Sequence, residues 1–258
     1  MVRFRIFRQL VVAVFFGSVG AVSADDSILF YHEDFPPYVY AVNGEVKGQI
    51  AERTDEIVRA AGYTIVWRQT SFSRLIREIE YGKEPACAAG YSGHRQNRFD
   101  VLASKPIGWY RGAGLAVRNE DLPRFASHAS IQDVMSDTSL RGAFLMDVSY
   151  MGISEFIDQT PVKRHVLIGG SDRDLALMVA RGRVHFAPLN ADQVEHLKKS
   201  LPGAQGLAAF QPSGMREPRD VGIICSKKLS SDVWRKINAQ IPTLLPFEPV
   251  QIEKAAQN

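Results

Sequence analysis

The stretch that decides the fold is residues 87–110, CAAGYSGHRQNRFDVLASKPIGWY. It begins with small apolar residues typical of a buried strand and continues into a basic loop that contains Arg95 and Arg98. It ends on Trp109 and Tyr110, after which a second series of strand and helix patterns begins. Small-ligand sites in open α/β sheets lie where buried strands end in polar loops. We therefore expect this segment to form part of a ligand-binding lobe and the exit from it.

Strand and helix patterns alternate on both sides of this segment. Before it, the periodicity predicts strands over 27–31, 64–67 and 86–90 and helices over 48–62 and 72–82. After it, we expect strands over 114–117, 141–146, 165–168 and 184–189 and helices over 130–135, 149–157, 171–182 and 191–200. The β-α-β order favours sheets with parallel strands and right-handed crossovers. Two such sets without a low-complexity linker predict two lobes.

The C-terminal part contains one strand and one helix more than the second lobe needs. Residues 202–218 are predicted to be a loop, 221–225 a strand and 230–245 a helix. The first lobe is the obvious sheet for this strand to join, so the chain is expected to cross between the lobes twice. The predicted divisions are a first lobe over 25–110, a second over 111–212, and a return to the first over 213–258 with a terminal tail.

The N-terminus predicts export. Residues 1–24 combine a basic start, an apolar core and small residues before Ala24, which is the layout of a cleaved signal peptide and implies a periplasmic protein. An uncleaved anchor is the alternative. Three of the 31 Arg and Lys residues lie in this leader and none of the 28 acids does, so the rest of the chain is balanced in charge. We expect no nucleic-acid partner.

Chemical motifs are sparse. Pro36 and Pro37 predict a rigid loop that presents Phe35 and Tyr38. The six histidines have no paired-ligand spacing, and no nucleophile-elbow, Walker or dinucleotide motif follows a strand, so we expect no metal and no cofactor. Two cysteines that reach an oxidising compartment can form a disulfide or remain buried thiols.

Several motifs together resemble a known family. They are FPPY at 35–38, a glycine that opens the next helix, EIEYGK at 78–83 before a small-residue strand, SKP at 104–106, and LALMVARGRV at 175–184. Their order is similar to that of type II periplasmic solute-binding proteins, in the amino-acid-binding (family 3) class of ABC transporter substrate-binding proteins. The resemblance covers nearly all of residues 27–245. It implies an α/β fold of two lobes, each a mixed, mostly parallel sheet flanked by helices, with two crossovers and a ligand in the cleft.

The resemblance also implies first-lobe site residues. Phe35, with Tyr38 near it, covers the side-chain end of the ligand, and the third strand contributes Gly90, Tyr91 and Ser92. The family has an arginine in the following loop that pairs with the ligand carboxylate, because a guanidinium fork matches two oxygens. That position falls on Asn97 here, and we expect Arg95 or Arg98 to take the role.

In the second lobe, a helix N-terminus around Ser149 and Tyr150 is implied to offer backbone N–H groups to that carboxylate. The family binds the α-ammonium with an acid after the last second-lobe strand, where this chain has Asn190, with Asp192 two residues on. If Asp192 does not reach into the cleft, the ligand need not be a standard α-amino acid.

The family topology places the returning strand beside the third strand, which implies a Cys87–Cys225 disulfide. The expected hinges are Trp109, Tyr110 and Arg111, and residues 211–214.

The implied function is a monomeric, non-enzymatic periplasmic protein that closes on a small, carboxylate-bearing, amino-acid-like solute and delivers it to an ABC permease. One alternative is a ligand-sensing module for a signalling partner. The other is an enzyme resembling cyclohexadienyl dehydratase, in which Glu33 or Asp34 acts as an acid or base. The sequence identifies no second group opposite these two acids.

Overall fold

The structure is a computed structural model that describes residues 27–92, 99–146, 148, 150, 153, 157, 164–215 and 219–241. The described strands are β1 Ser27–His32, β2 Tyr40–Val42, β3 Glu45–Lys47, β4 Thr64–Gln69, β5 Ala86–Ser92, β6 Val101–Ala103, β7 Gly108–Tyr110, β8 Leu115–Arg118, β9 Ala143–Leu145, β10 Val166–Ile168, β11 Phe186–Ala187, β12 Leu207–Phe210 and β13 Arg219–Ser226. The described α-helices are α1 Gln49–Ala60, α2 Phe72–Tyr81, α3 Leu122–Phe125, α4 Ile131–Ser136, α5 Asp172–Ala180, α6 Ala191–Ser200 and α7 Ser231–Gln240. Within these residues, no helix combines the length and the apolar composition needed to cross a bilayer.

The first lobe is a mixed sheet with strand order β4-β1-β5-β13-β6, and β7 also pairs with β13. The β4-β1-β5 part is parallel, as the β-α-β order of the sequence predicts, and β13 runs antiparallel to β5, β6 and β7. Helices α1, α2 and α7 pack on it because each has an apolar stripe; in α1 that stripe includes Ile50, Ile57 and Val58, all fully buried.

The second lobe contains the antiparallel sheet β11-β8-β12 and the parallel pair β10-β9. A bridge between Gly142 and Phe186 brings the two sheets together. Helices α5 and α6 bury Leu175, Val179 and Leu197 in the core of this lobe. The two lobes and the two connections between them are the fold that the family resemblance implies.

The returning strand is fixed to the first lobe by a disulfide. β13 lies next to β5 with Cys225 directly opposite Cys87, and their sulfur atoms are bonded with a Cα–Cα distance of 4.0 Å. Both cysteines are fully buried. This is the pairing that the family resemblance implied, and it joins chain positions 138 residues apart.

Two parts of the sequence-based assignment differ from the structure. Residues 202–218 were predicted to be a loop, but Leu207–Phe210 forms β12, which pairs with β8. Residues 108–110, which include the predicted hinge residues Trp109 and Tyr110, form β7 and pair with β13. A strand of three or four residues is too short for a periodic pattern, and its partner is distant in the sequence. The predicted helix over 149–157 and the end of the C-terminal helix lie mostly outside the described residues.

Candidate functional site

A cavity of about 710 Å³ lies between the lobes. Residues from both lobes line it, as expected for a ligand site in a cleft. The first lobe contributes Glu33, Asp34, Phe35, Phe72, Tyr91 and Tyr110. The second contributes Met146, Tyr150, Gly169, Asp172, Asn190 and Gln193. The cavity therefore combines aromatic faces with a small number of charged and amide groups.

The first-lobe wall is built around three aromatic rings. Phe35 stacks on Tyr38 with ring centroids 5.3 Å apart, and Tyr110 lies 5.1 Å from Phe35 and 4.4 Å from Tyr38. The loop that carries Phe35 and Tyr38 is closed by a bridge between Phe35 and Val39. It packs closely on the start of α1, where a Cβ on Gly48 would lie 2.4 Å from the Tyr38 carbonyl oxygen. The sequence pattern of two prolines followed by a helix-opening glycine thus fixes the position of the rings.

Gly90 lets Tyr110 approach the sheet. The β5–β13 register shifts at this point, so that Tyr91 faces Gly222, Ala89 faces Ile223, and Gly90 is the additional residue of a β-bulge. Its φ of +89° lies in the left-handed region, and a Cβ there would lie 1.9 Å from the Tyr110 hydroxyl. The absence of a side chain at Gly90 therefore makes room for Tyr110 in the aromatic wall.

A polar cluster joins the lobes beside the cavity. The Tyr38 hydroxyl donates to Asp192 Oδ2 at 2.9 Å, and the Asn190 side-chain amide donates to the Tyr38 hydroxyl at 3.3 Å. Arg111 Nε lies 3.0 Å from Asp192 Oδ1, so the two side chains form an ion pair, although within the described part of the chain Nε makes no hydrogen bond of good geometry. Burial, and then the Asp192 charge, raise the pKa of Tyr38 far above its ordinary value, so its hydroxyl stays protonated and remains a donor.

Asp172, the first residue of α5, places a buried carboxyl in the cavity. It is 8% exposed, and Gln193 Nε2 donates to its Oδ2 at 2.5 Å. Burial, and then the charge of Glu33 across the cleft, raise the pKa of Asp172 to about 8; the Gln193 hydrogen bond opposes this rise and the Asp34 charge adds to it. In the absence of a ligand this carboxyl is therefore mostly protonated at neutral pH.

A second inter-lobe ion pair lies next to Asp172. Arg173 Nε donates to Asp34 Oδ2 at 3.0 Å, with both side chains partly buried. The other oxygen of Asp34, Oδ1, is buried and has no hydrogen-bond partner among the residues that the structure describes. The first-lobe loop and the N-terminus of α5 thus face each other across the cleft with carboxylates on both sides.

The structure brings together many of the residues that the sequence nominated. Phe35, Gly90, Tyr91, Tyr110, Arg111, Tyr150 and Asn190 line the cavity. Tyr38 is buried against the Phe35 ring, Ser92 ends β5 opposite Val221, and the Tyr150 hydroxyl accepts from the backbone N–H of Leu145 at 3.0 Å. Asp192 is held by Tyr38 and Arg111, and Trp109 pairs with Asp220. Arg95, Arg98 and Ser149 lie outside the described residues.

Sequence reasoning did not nominate Asp172 or Gln193, and it identified no group opposite Glu33 and Asp34. A signal for Asp172 was present, because Ser171 and Asp174 form a capping box that fixes the start of α5 directly after β10. Polar residues that follow the carboxyl end of a parallel strand face the cleft in α/β folds. Gln193 had the same kind of signal, because Asn190 and Gln193 form the capping box of α6, but its contact with Asp172 depends on how α6 packs beside α5. The described residues contain no group of three or more His, Cys, Asp or Glu side chains that could hold a metal ion.

Two α/β lobes, joined by two connections and enclosing a lined cavity, define a type II periplasmic binding protein. The chain belongs to the bacterial extracellular solute-binding proteins, family 3, whose model matches residues 28–245. Comparison with the sequences of curated proteins gives no match.

Solved structures with the same fold include both transport and signalling proteins. Arginine-bound, truncated ArgBP from T. maritima has 20% sequence identity and a TM-score of 0.65, with 86% of this chain and 97% of that one covered. AbpA from Streptococcus pneumoniae, an amino acid ABC transporter substrate-binding protein bound to L-arginine, has 16% identity and a TM-score of 0.63, with 85% and 89% covered. A histidine kinase sensor domain with similarity to periplasmic binding proteins has 17% identity and a TM-score of 0.66, with 85% and 91% covered. At these identities the likeness shows the fold.

Proposed function

We propose that this protein is a periplasmic solute-binding protein that closes its two lobes on a small, amino-acid-like solute and delivers it to an ABC transporter. The observation that carries the proposal is the cavity of about 710 Å³ between the lobes of a family 3 chain, with an aromatic wall on one side and polar groups on both. A cavity of this size falls within the usual range for small-molecule sites. The chain is exported by its leader and acts as a monomer.

The ligand is held at two ends in this proposal. Phe35 and Tyr110 cover its apolar part, and Arg95 or Arg98 pairs with a carboxylate. The lobes rotate about Arg111 and residues 211–214, where the chain passes between β7 and β8 and between β12 and β13. The contacts of Asp192 with Arg111 and Tyr38 lie beside the first of these connections.

Thermal unfolding with a panel of amino acids, small carboxylates and polyamines tests the proposal. The protein is first unfolded and refolded to remove any bound solute. A ligand whose concentration is a hundredfold its Kd stabilises the folded protein by about 2.7 kcal/mol, which raises the Tm of a chain of this size by about 5–10 °C. Phe35→Ala should abolish the shift, whereas Tyr81→Ala, at a ring 74% exposed, should retain it. If no solute of any class raises the Tm, the proposal is wrong.

The carboxylate assignment has a separate test. Replacing Arg95 and Arg98 together by Ala should weaken carboxylate ligands about 30-fold or more, because a charged hydrogen bond to a buried group is lost. Arg74→Ala, at an exposed arginine of α2, is the matched control. If the double variant and Arg74→Ala bind carboxylate ligands with equal affinity, neither Arg95 nor Arg98 binds the carboxylate.

Signalling is a second candidate, favoured by the likeness to a histidine kinase sensor domain. The two roles differ in what surrounds the gene and in what its deletion does. Neighbouring genes for a permease and an ATPase, together with loss of radiolabelled solute uptake on deletion, support transport. A neighbouring sensor kinase and unchanged uptake support signalling.

The enzyme alternative has one structural observation in its favour. Asp172 lies opposite Glu33 and Asp34, and its raised pKa suits a general acid at neutral pH. Incubation with prephenate, followed by absorbance of an aromatic product, tests it, with Asp172→Asn as the control. Turnover that Asp172→Asn abolishes would replace the binding role with catalysis.

A further inference from the structure

An aromatic contact between the lobes lies outside the cavity. The ring of Tyr40, at the start of β2 in the first lobe, meets the imidazole of His196 on α6 of the second lobe. The ring centroids are 4.7 Å apart and the rings meet edge to face, at an interplanar angle of 66°. Neither residue lines the cavity. This contact therefore depends on lobe closure without depending on where a solute lies in the cleft.

The aromatic contact continues the polar cluster around Tyr38. Asp192 and His196 are four residues apart on α6, so they lie on the same face of that helix. This face meets the first lobe twice, at the Tyr38 hydroxyl through the Asp192 carboxylate and at the Tyr40 ring through the His196 imidazole. One face of α6 thus packs on one short segment of the first lobe, and separation of the lobes breaks both contacts.

The His196 imidazole is poorly placed to carry a charge in this contact. Its Nε2 atom is buried and has no hydrogen-bond partner among the residues that the structure describes. A protonated imidazole carries an N–H on both ring nitrogens, so protonation would bury a charged donor without an acceptor from these residues. Burial lowers the pKa of His196, and the charge of Arg173 lowers it further.

The charged groups around His196 come from both lobes. Arg173 on α5 and Lys199 on α6 disfavour its protonation, whereas Asp34 of the first-lobe loop favours it. The effect of Asp34 is smaller than that of burial, and its carboxylate is already paired with Arg173 at 3.0 Å. Separation of the lobes removes the Tyr40 ring and Asp34 from His196 together. Because burial is the larger effect, the open form binds a proton on His196 more readily than the closed form.

We propose that the contact between His196 and Tyr40 is a pH-sensitive latch, in which the neutral imidazole favours the closed form and protonation of His196 favours the open form. A histidine suits this role because its charge changes near neutral pH. The proposal rests on the proposed function, since closure is what retains the solute. It adds a regulator to that function, because a proton that binds outside the cavity then lowers the affinity of the cavity for its solute.

Small-angle X-ray scattering of the solute-free protein tests the latch without knowledge of the solute. The protein is first unfolded and refolded to remove any bound solute, and the ratio of closed to open molecules is fitted at pH 7.5 and at pH 5. From pH 7.5 to pH 5 we expect this ratio to fall by about threefold or more in the wild type relative to His196→Gln. Asp172 and the other titrating groups are present in both proteins, so their effects cancel in the comparison.

Two further variants separate the latch from the loss of any histidine. His128→Gln removes a second-lobe histidine whose partner, Asp137, lies in the same lobe, and it should keep the pH dependence of the wild type. Tyr40→Ala keeps His196 but removes the first-lobe ring, and it should lose most of this pH dependence. Circular dichroism of each variant at both pH values establishes that a changed scattering curve is not lost folding.

Three results would overturn the proposal. Equal pH dependence in the wild type and His196→Gln would assign any response to other groups. A wild type that closes at pH 5 relative to His196→Gln would mean that the Asp34 charge outweighs burial. A solute-free protein that is open at both pH values would show that the two rings do not hold the lobes.

Each of these results leaves solute binding intact, because the thermal unfolding panel tests that function separately. A panel in which no solute raises the Tm, combined with the expected pH dependence of closure, would refute solute binding and keep the latch.

Discussion

Replacing Asp172 by Asn should change how the stability of the ligand-free protein depends on pH. The side chains have the same shape, and the Asn side-chain oxygen can still accept the hydrogen bond from Gln193. What the substitution removes is a carboxyl group. Burial and the charges of Glu33 and Asp34 raise the pKa of this group to about 8. In the unfolded chain the same group titrates near about 3.9.

The sign follows from the protons that each state binds. Between about pH 4 and pH 8 the folded protein holds a proton on Asp172 and the unfolded chain does not. The free energy of unfolding therefore contains a contribution that is complete below about pH 4 and is lost as the pH rises to about 8. Each pH unit in this window is worth about 1.36 kcal/mol, so the contribution falls by about 2.7 kcal/mol from pH 5 to pH 7. In Asp172→Asn it is absent.

Urea unfolding of both proteins at pH 5, 6 and 7 measures the effect. The free energy of unfolding of the variant minus that of the wild type should become more positive by about 2.7 kcal/mol from pH 5 to pH 7. Other titrating groups act equally in both proteins and cancel in the difference. Glu195→Gln should show no comparable trend, because its side chain is 45% exposed. A difference that is the same at pH 5 and pH 7 would mean that Asp172 is ionised throughout, which would refute the argument from burial.

Three further predictions concern the aromatic wall, the Cys87–Cys225 disulfide and the ion pair between the lobes. Gly90→Ala should lower the free energy of unfolding, measured in urea, by about 1–3 kcal/mol. Adding Tyr110→Phe should recover part of this loss, because the hydroxyl oxygen lies 1.9 Å from the new Cβ and the ring Cζ lies 3.2 Å from it. If stability does not recover, the clash with the hydroxyl is not the cause. Replacing Cys87 and Cys225 by Ala should lower the free energy of unfolding by about 2–5 kcal/mol, because the disulfide joins positions 138 residues apart. An unchanged urea midpoint would refute this stabilising role. Arg173→Gln should speed ligand dissociation in stopped-flow experiments, because it breaks the ion pair with Asp34. A double-mutant cycle with Asp34→Asn should give a coupling free energy of about 1 kcal/mol between the two side chains. Strictly additive effects would show that this ion pair does not hold the lobes together.

The sequence predicted the elements whose own residues determine them. The helix stripe of Ile50, Ile57 and Val58 places α1, and the capping box at Ser171 places the start of α5. The order of these elements was enough to predict two α/β lobes. The return of β13 to the first lobe was predicted from the strand and helix left over after the second lobe. Its position beside β5 and the pairing of Cys87 with Cys225 followed from the family resemblance, because pairing across 138 residues leaves no local pattern.

The elements that the sequence missed depend on distant partners. The four residues of β12 alternate weakly in burial, and they form a strand because β8, about 90 residues earlier, offers them an edge. The three residues of β7 are held in the same way by β13. In the site, the prolines of the first loop indicated that Phe35 and Tyr38 are presented together, whereas Tyr110, the third ring of the wall, was expected to be a hinge residue. It could not place Asp172 opposite Glu33, since that distance depends on both connections between the lobes.

The chain has an asparagine, Asn190, where the family has an acid, and an acid that lines the cavity, Asp172, at the start of α5. This change of position links the fold to the ligand. A strand-end acid in the family's position would lie next to Tyr38 and Arg111, and in this chain Asp192 occupies that polar cluster as an inter-lobe contact. The second-lobe acid that lines the cavity is Asp172 on α5, and the next residue, Arg173, pairs with Asp34 of the first lobe. A ligand that contacts Asp172 would therefore act on the same loop that Arg173 holds. Ligand recognition and lobe closure would then share one set of charges, so Arg173→Gln should weaken ligand binding even though Arg173 does not line the cavity. Equal ligand affinity in Arg173→Gln and wild type would separate recognition from closure.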